Sequence, residues 1–214
     1  MNLHQINIVV HILAGSLALM MGFIALIVNK RQKIHGQMGR LFLYLMAMVI
    51  LTGLIGVFVF GRNTFLLVIT VLSGYNAFSG YRVLKAKSNQ LKYLDVLMAL
   101  TALGSASYFL YYFKSIGMIW SPVIIYSTVG YLFLMVTYDL LRYLIPAKRY
   151  GKLWLYEHIL KMVSTFSGLL SAFTGTVLEQ YQPYSQFVPS ILCTWVAIGF
   201  MIRVRLKKDA FMHK

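Results

Sequence analysis

Residues 38–60 read MGRLFLYLMAMVILTGLIGVFVF, with Arg40 at the edge and then an uncharged run from Leu41 to Phe60. At about 1.5 Å per residue a helix of that length reaches roughly 30 Å, the depth of a bilayer's hydrocarbon core. Six further runs follow the same rule: Gln5 to Val28, Thr64 to Leu84, Tyr93 to Phe113, Ser121 to Leu144, Leu153 to Leu178 and Phe187 to Leu206. The pattern predicts an all-α, polytopic transmembrane bundle of seven helices.

Composition agrees. The 214 residues are 59% apolar and only 12% charged, too few polar groups to cover a water-facing surface. No Gly-, Ser- or Pro-rich linker divides the chain, so residues 1–214 form a single membrane domain. The amino terminus lacks the basic region and cleavage site of a signal peptide, so the first apolar run is expected to remain as a helix. Cys193 is the only cysteine and excludes an intramolecular disulfide.

The net charge of +15 does not point to nucleic acid, because the basic residues sit in short loops rather than on one face of a domain. The first, third and fifth loops carry Lys30, Arg31, Lys33, Arg40, Arg82, Lys85, Lys87, Lys92, Arg142, Lys148, Arg149 and Lys152. The tail adds Arg203, Arg205, Lys207, Lys208 and Lys214, making seventeen on that side against Arg62 and Lys114 on the other. Short-loop cations stay in the cytoplasm. The amino terminus is therefore expected outside and the carboxyl terminus in the cytoplasm. Trp120, Trp154, Tyr156, Tyr93, Tyr143 and Tyr150 fall near segment ends, where an interfacial aromatic belt is expected.

An ionisable side chain within lipid needs a partner, water or a task. In the sixth segment Glu157, Lys161, Ser164, Gly168, Ser171, Gly175 and Glu179 recur at steps of four and three, which places them on one helix face. Glu157 and Lys161 are an i,i+4 pair able to neutralise each other. His158 is their neighbour, and Asp139 and Asp95 fall near the same end, with His35 a further candidate. The first segment has a weaker stripe in His4, Asn7, His11, Gly15, Ala18, Gly22 and Ala25. The third has Ser73, Asn76, Ala77 and Gly80. Such stripes let helices approach closely in lipid, so packing alone and packing around a functional cavity both remain open. His213 falls in the tail.

No metal-ligand spacing, catalytic triad order or phosphate-binding glycine loop occurs in a suitable context, and no catalytic residue is assigned. The stretch His11-Ile-Leu-Ala-Gly15 with Gly22, followed by Lys33-Ile34-His35-Gly36-Gln37-Met38-Gly39-Arg40, resembles an uncharacterised family of bacterial predicted multi-pass membrane proteins. A looser likeness continues at Ser79-Gly80-Tyr81-Arg82. This resemblance implies a multi-pass protein of a bacterial inner membrane. The same helix, basic turn and helix is similar to b-type transmembrane cytochromes that hold two haems between four helices. That similarity implies axial roles for His11 and His35. The third and fourth segments hold no histidine, so a haem b site here would be rearranged around His35 and His158.

Three functions follow as expectations. The first is a small transporter, channel or ligand-binding protein whose polar cavity is lined by the first, third and sixth segments, with His11, Asn76, Asp139, Glu157, His158, Lys161, Ser164 and Ser171 as candidates. The second is a haem b electron carrier, and the third a non-catalytic membrane subunit or sensor. The expected partners are the lipid bilayer, a small molecule or ion, and a second copy or a membrane-complex subunit.

Overall fold

The computed structural model describes residues 2–61, 65–116 and 121–212, without the side chains of 65, 66, 116 and 207–212. The expectations for Arg62, Trp120, His213, Lys214 and the side chains of Lys207 and Lys208 lie outside the described residues. Among these, the helices of twenty or more residues are α1 (Leu3–Ile27), α2 (Gln32–Phe58), α3 (Phe65–Ala86), α4 (Tyr93–Ile116), α5 (Pro122–Leu141), α7 (Trp154–Val177) and α8 (Tyr184–Met212). A short helix, α6 (Ala147–Tyr150), lies in the α5–α7 connection. No strand occurs among the described residues.

Local signals account for several boundaries. Asn2 and Gln5 form a capping box at the start of α1, each side chain accepting from the other's backbone N–H (2.9 and 3.0 Å). Pro122 opens α5, where its missing N–H costs nothing. After α2, Gly61 takes a φ of +62°, a left-handed conformation that glycine adopts without steric penalty. α2 begins six residues earlier than the apolar run, so His35 belongs to its first turns and not to a loop.

Five stretches are long and apolar enough to cross a membrane: Leu3–Lys30, Gln32–Phe58, Tyr93–Ser115, Pro122–Leu144 and Tyr184–Leu206. Large apolar side chains on their outer faces, such as Leu13, Leu17 and Phe23 on α1 and Leu192 and Trp195 on α8, are exposed, as a lipid-facing surface requires. The chain is a helical membrane protein. α3 and α7 are as long but more polar, and they pack against each other, with α8 on α7 and α1 on α2.

Two apolar clusters result. One joins α3, α4 and α5 through Val68, Ala102, Phe109, Val129 and Leu132. The other joins α1, α2, α7 and α8 through Ala18, Phe42, Met46, Phe166 and Ala197. Close approach depends on glycine at the contacts: a Cβ on Gly22 would lie 2.6 Å from the Phe166 ring, and one on Gly175 2.7 Å from Gln186 Cγ. α8 contains Pro189, which deprives the Ser185 carbonyl of its helical N–H donor. The Thr174 hydroxyl on α7 donates to that carbonyl instead, at 2.6 Å, so the acceptor freed by the proline keeps a partner.

Candidate functional site

At one end of the junction between the two clusters, four ionised side chains are buried together: Asp139 and Arg142 from the end of α5, and Glu157 and Lys161 from α7, each no more than 5% exposed. Lys161 is wholly buried, and its three ammonium protons are all committed. They go to Glu157 Oε1 (2.5 Å), Ser79 Oγ (2.5 Å) and Asp139 Oδ1. Arg142 Nη1 donates to Glu157 Oε1 at 2.8 Å and lies 3.7 Å from Asp139 Oδ1.

Hydroxyls complete both carboxylates. Tyr75 and Ser79 of α3 donate to Asp139 Oδ2 at 2.7 and 2.5 Å. Tyr150 and Tyr138 donate to Glu157 Oε2 at 2.6 and 3.3 Å. Burial first, and then the hydrogen bond to Glu157, raise the Tyr150 phenol above its ordinary pKa, so it remains a donor. Two positive and two negative charges cancel, and the carboxylates are saturated with donors. That is the arrangement in which a buried ionic group is tolerated.

Further along α7, between α3, α5, α7 and α8, lies a cavity of about 310 Å3. Hydroxyls and an amide punctuate its apolar wall, among them Thr128, Ser164, Ser167, Ser171 and Gln186. The Tyr131 and Ser164 hydroxyls bond each other at 2.7 Å and bridge α5 to α7 on the side of the ionic network. Gln186 is 7% exposed, yet among the described residues its Oε1 has no hydrogen-bond partner, and neither have Ser73 Oγ and both polar atoms of the fully buried Asn76. Buried polar groups without partners are uncommon. No family model, curated protein or solved structure matches this chain.

The site differs from the sequence expectation in several respects. Glu157 and Lys161 are ion-paired, but within a four-charge network rather than as an isolated pair. α1 supplies no residue to the cavity. Its small-residue stripe packs on α2 and α7, and His11 Nδ1 bonds Thr52 Oγ1 of α2 at 2.8 Å. Glu179 lies beyond the end of α7 and is exposed, so the polar seam stops at Gly175. Asp95 stands apart from the network, because Arg82 holds both of its oxygens, at 2.8 and 3.0 Å.

Of the remaining candidates, Ser164 and Ser171 line the cavity, and Ser171 donates to the Gln186 carbonyl at 3.0 Å. His35 and His158 each place Nδ1 on a backbone carbonyl, of Ala25 and Gly80, at 2.9 and 3.0 Å. A carbonyl only accepts, so in both rings Nδ1 carries the proton. His11 and the Ala25 contact of His35 are fourteen residues apart on α1, about 21 Å along the axis. That separation prevents His11 and His35 from sharing one ligand. No cluster of three or more metal-ligating side chains occurs among the described residues.

Tyr75, Ser79, Tyr131, Tyr138, Arg142, Tyr150 and Gln186 complete the site without having been candidates. Ser79 carried a legible signal, since it belongs to the polar face of α3 beside Asn76. Arg142 and Tyr150 obey the rules for a loop cation and a belt aromatic, but both are buried, at 3% and 0% exposure. α6 folds the loop back and brings Tyr150 against Glu157.

Proposed function

We propose that the protein crosses the membrane seven times, amino terminus outside, and binds a small uncharged molecule in the cavity between α3, α5, α7 and α8, as a small transporter or ligand-binding protein does. The observation that carries this reading is the cavity itself: hydroxyls of Thr128, Ser164, Ser167 and Ser171 and the Gln186 side chain, set in an apolar wall beside a charge network that is already balanced. Such a site rewards a ligand with hydrogen-bonding groups and offers a full charge no counterion. The cavity also lies where two apolar clusters meet, a common position for a binding cleft.

A thermal-shift screen of neutral polyols, amides and phenols on the purified protein tests this. At least one compound is expected to raise the Tm of the parent and not that of Thr194→Phe, which places a ring in the cavity from an exposed position of α8. Equal shifts in both proteins, or none in either, would overturn the assignment.

The orientation is supported by the basic loops and by their meeting at one end. Asn89 donates to the Ile145 carbonyl at 2.6 Å, and Lys87 Nζ lies 4.9 Å from the Trp154 ring centre. In a Cys193→Ala background, a membrane-impermeant maleimide applied to intact cells is expected to label a cysteine at the exposed position of Glu179 and spare one at Gln90. Labelling at Gln90 instead would reverse the topology.

A further inference from the structure

α2 and α3 run antiparallel, and a groove of about 330 Å3 opens between them. It exists because Ala47, Gly74 and Ala77 are small, leaving the apolar side chains of Ile50 and Phe78 along its length. A Cβ on Gly74 would already approach Ile50 Cδ1 to 3.3 Å. From Arg40 to Ile50 the groove follows ten residues of α2, about 15 Å of helix.

Its two ends differ. Arg40 and Tyr81 mark one of them, and a second cation, Lys85, lies over Tyr81 with Nζ 5.2 Å from the ring centre. Neither Arg40 nor Lys85 forms an ion pair among the described residues. Among the described residues no acid serves them, since Asp95 is held by Arg82, Asp139 and Glu157 belong to the buried network, and Glu179 forms no ion pair. Arg40 is also the residue at which the uncharged run of α2 begins, the level at which lipid headgroups meet a membrane helix.

We infer that this groove is a binding site for an anionic phospholipid, its phosphate held by Arg40 and Lys85 and one acyl chain lying along Ala47, Gly74 and Ala77. Charge and shape select the occupant together. A zwitterionic lipid brings its own cation to the basic end, and a soluble anion leaves the apolar length uncovered. Guanidinium and ammonium groups at a membrane surface favour anionic headgroups.

Delipidated protein in a neutral detergent, titrated with phosphatidylglycerol, phosphatidylcholine of the same acyl chains, or inorganic phosphate, tests the site by Tm. Phosphatidylglycerol is expected to raise the Tm by several degrees, phosphatidylcholine clearly less, and inorganic phosphate not at all. Arg40→Gln with Lys85→Gln should reduce the phosphatidylglycerol shift to the phosphatidylcholine level. Ala47→Phe, which fills the groove from an exposed position, should do the same with both cations intact. Equal shifts from the two lipids, a phosphatidylglycerol shift that survives either variant, or a full shift from phosphate alone would each overturn the assignment.

Discussion

Lys161→Met is expected to be the most damaging single substitution in the protein, with a loss of about 3 to 5 kcal/mol in folding stability, the usual cost of leaving a buried charge uncompensated. Among the described residues, Lys161 is the only cation hydrogen-bonded to both Asp139 and Glu157. Without it, Arg142 alone faces two carboxylates, and Ser79 loses its bond from the ammonium. Glu157→Gln produces the opposite excess, two cations against Asp139.

Combining Glu157→Gln with Lys161→Met restores balance, because Asp139 and Arg142 remain and already lie 3.7 Å apart. The double variant should therefore be more stable than Lys161→Met alone, as read by urea or thermal unfolding in detergent. Rescue should also be incomplete, since the hydrogen bond to Ser79 and the contact with Asp139 are not replaced. Strictly additive losses would show that the two side chains do not interact, and the network would then not be a single unit.

The helices were legible because lipid makes the signal unusually clean. A span must hide every backbone polar group from hydrocarbon, so long uncharged runs have few other fates. The predicted runs accordingly coincide with α1 to α5, α7 and α8 to within three residues, apart from the start of α2 and the end of α8, each six residues beyond its run. Polarity along α7 was legible too, since Glu157, Lys161, Ser164, Gly168 and Ser171 share one face. Which helices answer that face was not legible. Periodicity gives the direction of a side chain on its own helix, and says nothing of which neighbour lies opposite. α1 and α3 carry comparable stripes, yet α3 faces α7 across Ser79 and Lys161, whereas Asn7 and His11 of the α1 stripe bond to Thr52 of α2. Arg142 and Tyr150 were misplaced for a related reason: the rules for loop cations and belt aromatics are averages over positions, and α6 makes this loop an exception.

The contact between α3 and α7 can be tested at one atom. A Cβ built on Gly168 lies 2.2 Å from Ser73 Oγ but 3.5 Å from Ser73 Cβ, so the obstacle to Gly168→Ala is a hydroxyl oxygen and not the helix backbone. Gly168→Ala should cost about 1 to 3 kcal/mol by overpacking, because neighbouring small-residue contacts prevent the helices from moving apart freely. Ser73→Ala alone should be neutral or slightly stabilising, since Ser73 Oγ is buried without a hydrogen-bond partner among the described residues and its removal forfeits no bond seen there. Together the two changes leave ordinary van der Waals contact, 3.5 Å, between two methyl groups. Ser73→Ala should thus recover most of the stability lost in Gly168→Ala, a coupling that a thermal-unfolding double-mutant cycle measures directly. If Gly168→Ala proves as damaging in the Ser73→Ala background as in the parent, the close approach of α3 to α7 at this point is refuted, because no other heavy atom stands as near to the added methyl group.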